Sequence, residues 1–214
     1  MYADPLSQRC VARCPDGYYA ENVTRRCLPD CPHDKINYAD NKTNRCVSRC
    51  PDSPAQFATY GDNSTRDCVV QCPLVPLTYA DNMTRMCLSI CNNVTEGGYA
   101  NNKTRVCVQK CPDQTFGDIT SRNCVRFCPE GWYSYTVTNL CVRDCPSPFF
   151  SDPTTEQCVR RCPVAQLLFG EPFGRTCTAI CPEGTYADFN SQECVVQCPS
   201  KAQTVLPSAR RFKL

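Results

Sequence analysis

Cysteine supplies nearly all the chemistry this sequence offers. All 22 cysteines fall into eleven Cys-x-x-x-Cys pairs, beginning at Cys10, Cys27, Cys46, Cys68, Cys87, Cys107, Cys124, Cys141, Cys158, Cys177 and Cys194. Thiols at this density either close disulfides in an oxidising compartment or hold zinc as thiolates. Zinc sites usually pair ligands two residues apart and often add histidine. Here the pairs are three residues apart and His33, in a loop after Cys31-Pro32, is the only histidine. It reads as an exposed loop residue. Disulfides are expected, and no metal or other cofactor.

Asn-x-Thr sequons are the second chemical feature, at Asn22, Asn41, Asn63, Asn82, Asn93 and Asn102. In a secreted protein each is an N-glycan acceptor on the surface. Five of them stand five residues before a cysteine, and Asn93 is out of register. Later copies carry Ile119, Thr136, Pro153, Pro172 and Phe189 at that place. The competing reading is that Asp-Asn is a favourable turn pair and the sequons are incidental. Glycans on the first half would leave the second half bare. Its contact candidates are then Phe173, Phe189 and the cluster Trp132, Tyr133 and Tyr135.

Carboxylates also recur, as Asp40, Asp62, Asp81, Asp118, Asp152 and Asp188. Their appearance once per copy marks them as turn formers rather than as catalytic acids or calcium ligands. The sequence has no Asp-x-Asp-x-Asp-Gly loop, no Gly-rich phosphate loop and no nucleophile elbow. An enzyme is not expected.

The elements that must position these groups are short repeats. The spacing between pairs is 17 to 22 residues, too short for a module to bury a core of its own. Eight residues before each first cysteine stands an aromatic: Tyr2, Tyr19, Tyr38, Tyr60, Tyr79, Tyr99, Phe116, Tyr133, Phe150, Phe169 and Tyr186. A small residue follows, and then usually Asp. Thr or Ser stands three residues before the cysteine in ten copies, with Gly174 in the other. Pro follows the second cysteine in every copy but one, where Asn92 stands. These positions predict a β-hairpin whose tip is a type I turn opened by Asp, as in Asp4-Pro5 and Glu171-Pro172-Phe173-Gly174. The variable segment between Cys-Pro and the aromatic is the tolerant loop. Arg recurs two residues before the cysteine (Arg25, Arg66, Arg85, Arg105, Arg122, Arg175) and could stack on the cross-strand aromatic.

Three pairing schemes are open. In the first, the second cysteine of a pair bonds the first of the next: Cys14–Cys27, Cys31–Cys46, Cys50–Cys68, Cys72–Cys87, Cys91–Cys107, Cys111–Cys124, Cys128–Cys141, Cys145–Cys158, Cys162–Cys177 and Cys181–Cys194. This closes each hairpin at its open end. In the second, each Cys-x-x-x-Cys closes on itself, which gains little loop entropy and holds the sulfurs apart on an extended strand. In the third, alternate cysteines cross, as Cys10–Cys27 and Cys14–Cys31. An isolated hairpin is marginal in water, and closing a loop of this length contributes roughly 3 kcal/mol.

The string from Cys10 to Cys31, Cys-x-x-x-Cys-Pro-x-Gly-Tyr-Tyr…Cys-x-x-x-Cys, resembles the furin-like cysteine-rich repeats of growth-factor receptors. The variant aromatic-Ala-Asp-Asn-x-Thr…Cys-Val-x-x-Cys-Pro is more similar to long cysteine-rich surface proteins of ciliates and other protists, over residues 2–199. The resemblance implies rods of small disulfide modules and favours the first pairing. The expected fold is therefore a disulfide-rich, mostly β or irregular linear array of ten to eleven single-disulfide hairpins, with almost no helix. It spans residues 1–199, with a partial module at 1–10, modules closing at Cys27 through Cys194, and a tail or half-module at 200–214.

Net charge is +2, with both signs interleaved, which gives no footprint for nucleic acid. No apolar stretch is long enough to span a bilayer. The absence of a signal peptide at Met1 conflicts with the oxidising compartment that the cysteines require, so a mature form or a window of something longer is expected. Local pairing leaves Cys10 and Cys198 over. Cys198 of one chain could bond Cys10 of the next in a head-to-tail polymer, or the same bond could lie within a longer repeat protein. The expected protein is an extracellular, N-glycosylated structural filament or surface coat whose partners are copies of itself. The alternative is the stalk or ligand-binding ectodomain of a receptor or adhesin.

Overall fold

The computed structural model describes residues 1–33, 37–52, 58–91 and 98–199. The Asn93 sequon and the tail at 200–214 lie outside the described residues. The chain divides into unit 1, residues 1–129 and 136–141, and unit 2, residues 130–135 and 142–214.

The turn at each tip is built first. The carboxylate that ends the incoming strand folds back on its own turn. Asp118 accepts from the amide and hydroxyl of Thr120 and of Ser121, and Asp152 accepts from Thr154 and the Thr155 hydroxyl. Asp40, Asp62, Asp81 and Asp188 do the same. This is the side-chain mimicry of a backbone turn that Asp performs well. The tip is one residue longer than the expected four-residue turn. Four residues separate the strands, and the amide of the last bonds the carbonyl of the carboxylate residue, as Asn44 to Asp40 and Arg122 to Asp118, both at 2.8 Å. That last residue is left-handed in all eleven hairpins, with φ between 50° and 62°, from Gln8 to Gln192, and never glycine. A non-glycine residue there is strained and persists only where its surroundings fix it. Gly174, at the place where other tips hold Thr or Ser, is not left-handed; it gives room to the longer Glu171, whose Oε2 a Cβ would meet at 2.8 Å.

Unit 1 contains strands β1 (Tyr2–Asp4), β2 (Arg9–Val11), β3 (Tyr19–Glu21), β4 (Arg26–Leu28), β5 (Tyr38–Asp40), β6 (Arg45–Val47), β7 (Tyr60–Gly61), β8 (Cys68–Val69), β9 (Tyr79–Asp81), β10 (Met86–Leu88), β11 (Tyr99–Asn101), β12 (Val106–Val108), β13 (Phe116–Asp118) and β14 (Asn123–Val125). Unit 2 contains β15 (Tyr133–Tyr135), β17 (Phe150–Asp152), β18 (Gln157–Val159), β19 (Phe169–Glu171), β20 (Thr176–Thr178), β21 (Tyr186–Asp188) and β22 (Glu193–Val195), while β16 (Leu140–Val142) falls at the division. A single 3₁₀ turn, Val164–Gln166, is the only helical element among the described residues.

Each hairpin, here called a rung, pairs its small residue with its closing cysteine, as Ala20 with Cys27 and Gly170 with Cys177. Consecutive rungs join by a parallel bridge from that small residue to the residue before the next closing cysteine: Ala3 to Arg26, Ala80 to Val106, Ser151 to Thr176. The bridge carries one repeated hydrogen bond. In ten seams the amide of the small residue donates to the carbonyl of the next rung's left-handed residue, at 2.7–2.9 Å. The left-handed kink therefore turns that carbonyl toward the neighbouring rung. The result is a disulfide-rich repeat array, nearly all strand, with hairpins following one another in chain order.

The core is distributed along the seams. Seven of the register aromatics, Tyr2, Tyr19, Tyr38, Tyr60, Tyr79, Tyr133 and Phe150, pack on the disulfide of the next rung, several of them also on its small residue. Tyr2 packs with Cys14, Cys27 and Ala20, Tyr79 with Cys91, Cys107 and Ala100, and Phe150 with Cys162 and Cys177. The small position is small because the ring needs the space. A Cβ on Gly61 would meet Tyr38 Cζ at 2.5 Å, and one on Gly170 would meet Phe150 at 2.8 Å.

Candidate functional site: the seam, the tips and two free thiols

Ten disulfides close the rungs: Cys14–Cys27, Cys31–Cys46, Cys50–Cys68, Cys72–Cys87, Cys91–Cys107, Cys111–Cys124, Cys128–Cys141, Cys145–Cys158, Cys162–Cys177 and Cys181–Cys194. Their Cα separations are all 5.5–5.6 Å, the ordinary span of a disulfide. Cys10 and Cys198 have no partner within the chain and are exposed. His33 is exposed on a turn.

The arginines do not stack on the aromatic across their own hairpin. Arg85, Arg105 and Arg122 lie over Tyr60, Tyr79 and Tyr99 of the preceding rung, at 4.6, 5.4 and 6.0 Å. The left-handed backbone points these side chains back across the seam. They also donate to carbonyls there: Arg105 to Pro73, at 2.9 Å, and Thr78; Arg175 to Cys145 at 2.8 Å and Phe149 at 3.1 Å. Asn44, Asn139 and Gln192 replace arginine with a shorter donor to Cys14, Cys111 and Leu168, each at 3.0 Å. Arg85, 3% exposed, also pairs with Asp52 at 3.1 Å. The sequence carried a signal for this. Ten of the eleven left-handed positions hold Arg, Asn or Gln, with Glu156 the exception, so nearly all offer side-chain N–H groups.

Hydrogen bonds of the turn leave the carboxyls of Asp4, Asp62, Asp118, Asp152 and Asp188 below their ordinary pKa. Burial raises the pKa of Asp118, but the hydrogen bonds from Ser121 and Thr120 together outweigh it and leave the carboxyl below its ordinary value. Asp62 and Asp152 balance the same way. Each is committed to its own turn, so this geometry offers no free acid or base.

The five sequon asparagines of the common register are exposed at the tips, but they are not idle. Each accepts a hydrogen bond at Oδ1 from the tyrosine hydroxyl of the preceding rung. The pairs are Tyr2–Asn22 at 2.8 Å, Tyr38–Asn63 at 2.7 Å, Tyr60–Asn82 at 2.6 Å, Tyr79–Asn102 at 2.5 Å, and Tyr19–Asn41. The sequon hydroxyl also has a local role. Thr24, Thr43, Thr65 and Thr84 donate to Glu21, Asp40, Asp62 and Asp81. In unit 2 the corresponding contact is apolar: Phe189 meets Phe169 edge-on, with ring centroids 5.1 Å apart. Phe173 and Phe189 are 77% and 70% exposed. Tyr135 instead turns inward, edge-on to Phe149 at 5.2 Å, and Trp132 lies under Arg143 at 5.1 Å. The expected aromatic contact cluster is therefore spent largely within unit 2.

Among the described residues, no helix is long and apolar enough to cross a membrane. No family model, curated protein or solved structure matches the chain.

Proposed function

We propose that this cysteine-rich repeat protein is a secreted, N-glycosylated, non-catalytic structural component that extends end to end into a filament or surface coat, in the manner of the furin-like and protist surface repeats it resembles. One observation carries this reading: the first and last rungs are unfinished by the repeat's own rule. Ala20, Ala39, Ala80 and Ala100 are buried in their seams, whereas Ala3 and Ala187 are exposed. Phe150 and Phe169 are 9% and 4% exposed in unit 2, whereas Tyr186 is 58% exposed. The first rung has a closing cysteine, Cys10, with no opener; Cys198 is an opener with no closer.

These halves are complementary. Tyr186 would cover Ala3 and a Cys198–Cys10 disulfide, and the Ala187 amide would donate to the Gln8 carbonyl, as in every internal seam. An open groove of about 570 Å³ is bordered by Ala3, Gln8, Arg9 and Cys10 of the first rung and by Arg26 to Pro29 of the second. The next rung comes from a second copy or, in a longer polypeptide, from the flanking repeats; the chemistry is the same. A head-to-tail contact of this kind is heterologous and propagates unless it closes into a ring. Denaturing electrophoresis tests the reading. A ladder without reductant that collapses with it to a single-chain band, at 24.0 kDa once N-glycans are removed, is expected, with Cys198–Cys10 found by peptide mapping. One band in both lanes, with two alkylatable thiols, overturns it.

A further inference from the structure

The tyrosine–asparagine contact asks less of the tip than the sequence supplies. Only Oδ1 is used, and an aspartate would accept the same hydroxyl more strongly through its charge. At the neighbouring turn position, which also needs only an acceptor, nine of eleven rungs use Asp or Glu. At the tip, all five clasped residues are Asn. The hydroxyl position shows the same excess. Rungs without a tip asparagine use Ser7, Ser121 and Ser191 as readily as Thr138 and Thr155, while all five sequon rungs use Thr. Nor does the tyrosine require an asparagine. Tyr99 and Tyr133 precede rungs whose tips, Ile119 and Pro153, hold no side-chain acceptor. The fold therefore accounts for an acceptor and a hydroxyl, and leaves the amide nitrogen and the threonine unexplained. N-glycosylation uses both.

The two uses of the asparagine are compatible at one side chain. In glycosylation the amide nitrogen bonds the anomeric carbon of a diphosphate-activated oligosaccharide, loses one proton, and the diphosphate leaves. Oδ1 remains a carbonyl oxygen with its lone pairs free. We propose that Tyr2, Tyr19, Tyr38, Tyr60 and Tyr79 are positioning residues for glycans on Asn22, Asn41, Asn63, Asn82 and Asn102. The hydroxyl of one rung fixes the amide plane of the next and turns Nδ2 outward. Glycans in unit 1 then stand at rung spacing, two strand widths or about 10 Å apart, each in one orientation. This rests on the N-glycosylation reading above.

Tyr38→Phe tests the clasp in the whole protein secreted from a eukaryotic host. The ring that covers Cys50 and Cys68 stays and only the hydroxyl is lost. Native cleavage of the GlcNAc–Asn bond by an amidase, followed site by site, should speed up about fivefold at Asn63, the ratio of one ordinary hydrogen bond. Asn22, Asn82 and Asn102 should be unchanged. The Ala39 amide, which bonds the Arg66 carbonyl across the same seam, should keep its exchange protection. Glycan present but an unchanged Asn63 rate overturns the clasp and leaves glycosylation standing. Loss of Ala39 protection together with a faster rate makes the tyrosine merely structural and also overturns it. No mass loss on complete deglycosylation overturns both readings.

Discussion

Truncating Tyr79 to alanine separates a nearest-neighbour array from a single cooperative fold. The ring is 4% exposed and packs with Cys91, Cys107 and Ala100 of the next rung. Removing a buried aromatic costs about 3–5 kcal/mol through lost transfer energy and the cavity left behind. The Arg105 guanidinium, 5.4 Å above the ring, also loses its platform. These contributions overlap, so about 4 kcal/mol is the working figure. That is roughly a thousandfold in the opening equilibrium of the seam. Native-state hydrogen exchange reads it directly, because each seam has its own reporter amide. The Ala80 amide, bonded to the Arg105 carbonyl at 2.9 Å, should lose about a thousandfold of its protection. The Gly61 and Ala100 amides, one seam away on either side, should lose less, and those of Ala3 and Gly170 nothing. Tyr79→Phe, which keeps the ring on Cys91 and Cys107 and loses only the hydroxyl at the tip, should leave the Ala80 amide protected, as Tyr38→Phe should leave that of Ala39. A uniform loss that includes Ala3 and Gly170 would refute the nearest-neighbour account, and so would equal effects of alanine and phenylalanine.

Two further outcomes follow from the same geometry. Because the turn's hydrogen bonds hold the folded pKa of Asp118 below its ordinary 3.8, the carboxylate's stabilisation is complete at neutral pH and is lost as pH falls through that lowered value; a carbon NMR titration of Asp118 with its midpoint at or above 3.8 refutes this. Gly61→Val should cost about 1–3 kcal/mol by overpacking, since the new Cβ falls 2.5 Å from Tyr38 Cζ; unshifted Tyr38 ring resonances and full protection of the Ala39 amide count against it.

The rung was legible in the sequence because its determinants are local and recur in register. A fixed distance from aromatic to cysteine, a carboxylate before a hydroxyl, and a cysteine at each open end describe one hairpin completely. The seam was harder to read. In a repeat, every residue type that could meet within a rung is also present in the neighbouring rung, so periodicity alone does not tell which copy supplies the partner. Arg85 could face Tyr79 across its own hairpin or Tyr60 of the rung before. The choice is made by a left-handed φ of 61° at Arg85 itself, which turns both its carbonyl, to the Gly61 amide, and its side chain, over Tyr60, back to the preceding rung. No glycine marks that conformation; its one sign is the recurrence of Arg, Asn or Gln at the position. The tip asparagine was hidden in the same way, since its tyrosine partner lies 20 to 25 residues upstream.

The same slot is filled differently in the two units, and this bears on what the asparagines are for. In unit 1 the tip meets the preceding aromatic through a hydroxyl and an amide oxygen; in unit 2 Phe189 meets Phe169 by ring contact alone. Both arrangements keep the same seam hydrogen bond, 2.8 Å from Ala39 to Arg66 and 2.9 Å from Gly170 to Gln192. The ladder is thus indifferent to which chemistry occupies its tip, because the disulfide, the ring above it and the bridging amide already fix the rung. A position that the fold leaves free, yet that holds asparagine in every clasped copy with threonine two residues on, is one where something outside the fold has chosen the residue. Attachment of a glycan, as proposed above, would be a choice of that kind; it would place the sugar on unit 1, whereas Phe173 and Phe189 at the tips of unit 2 are exposed and apolar.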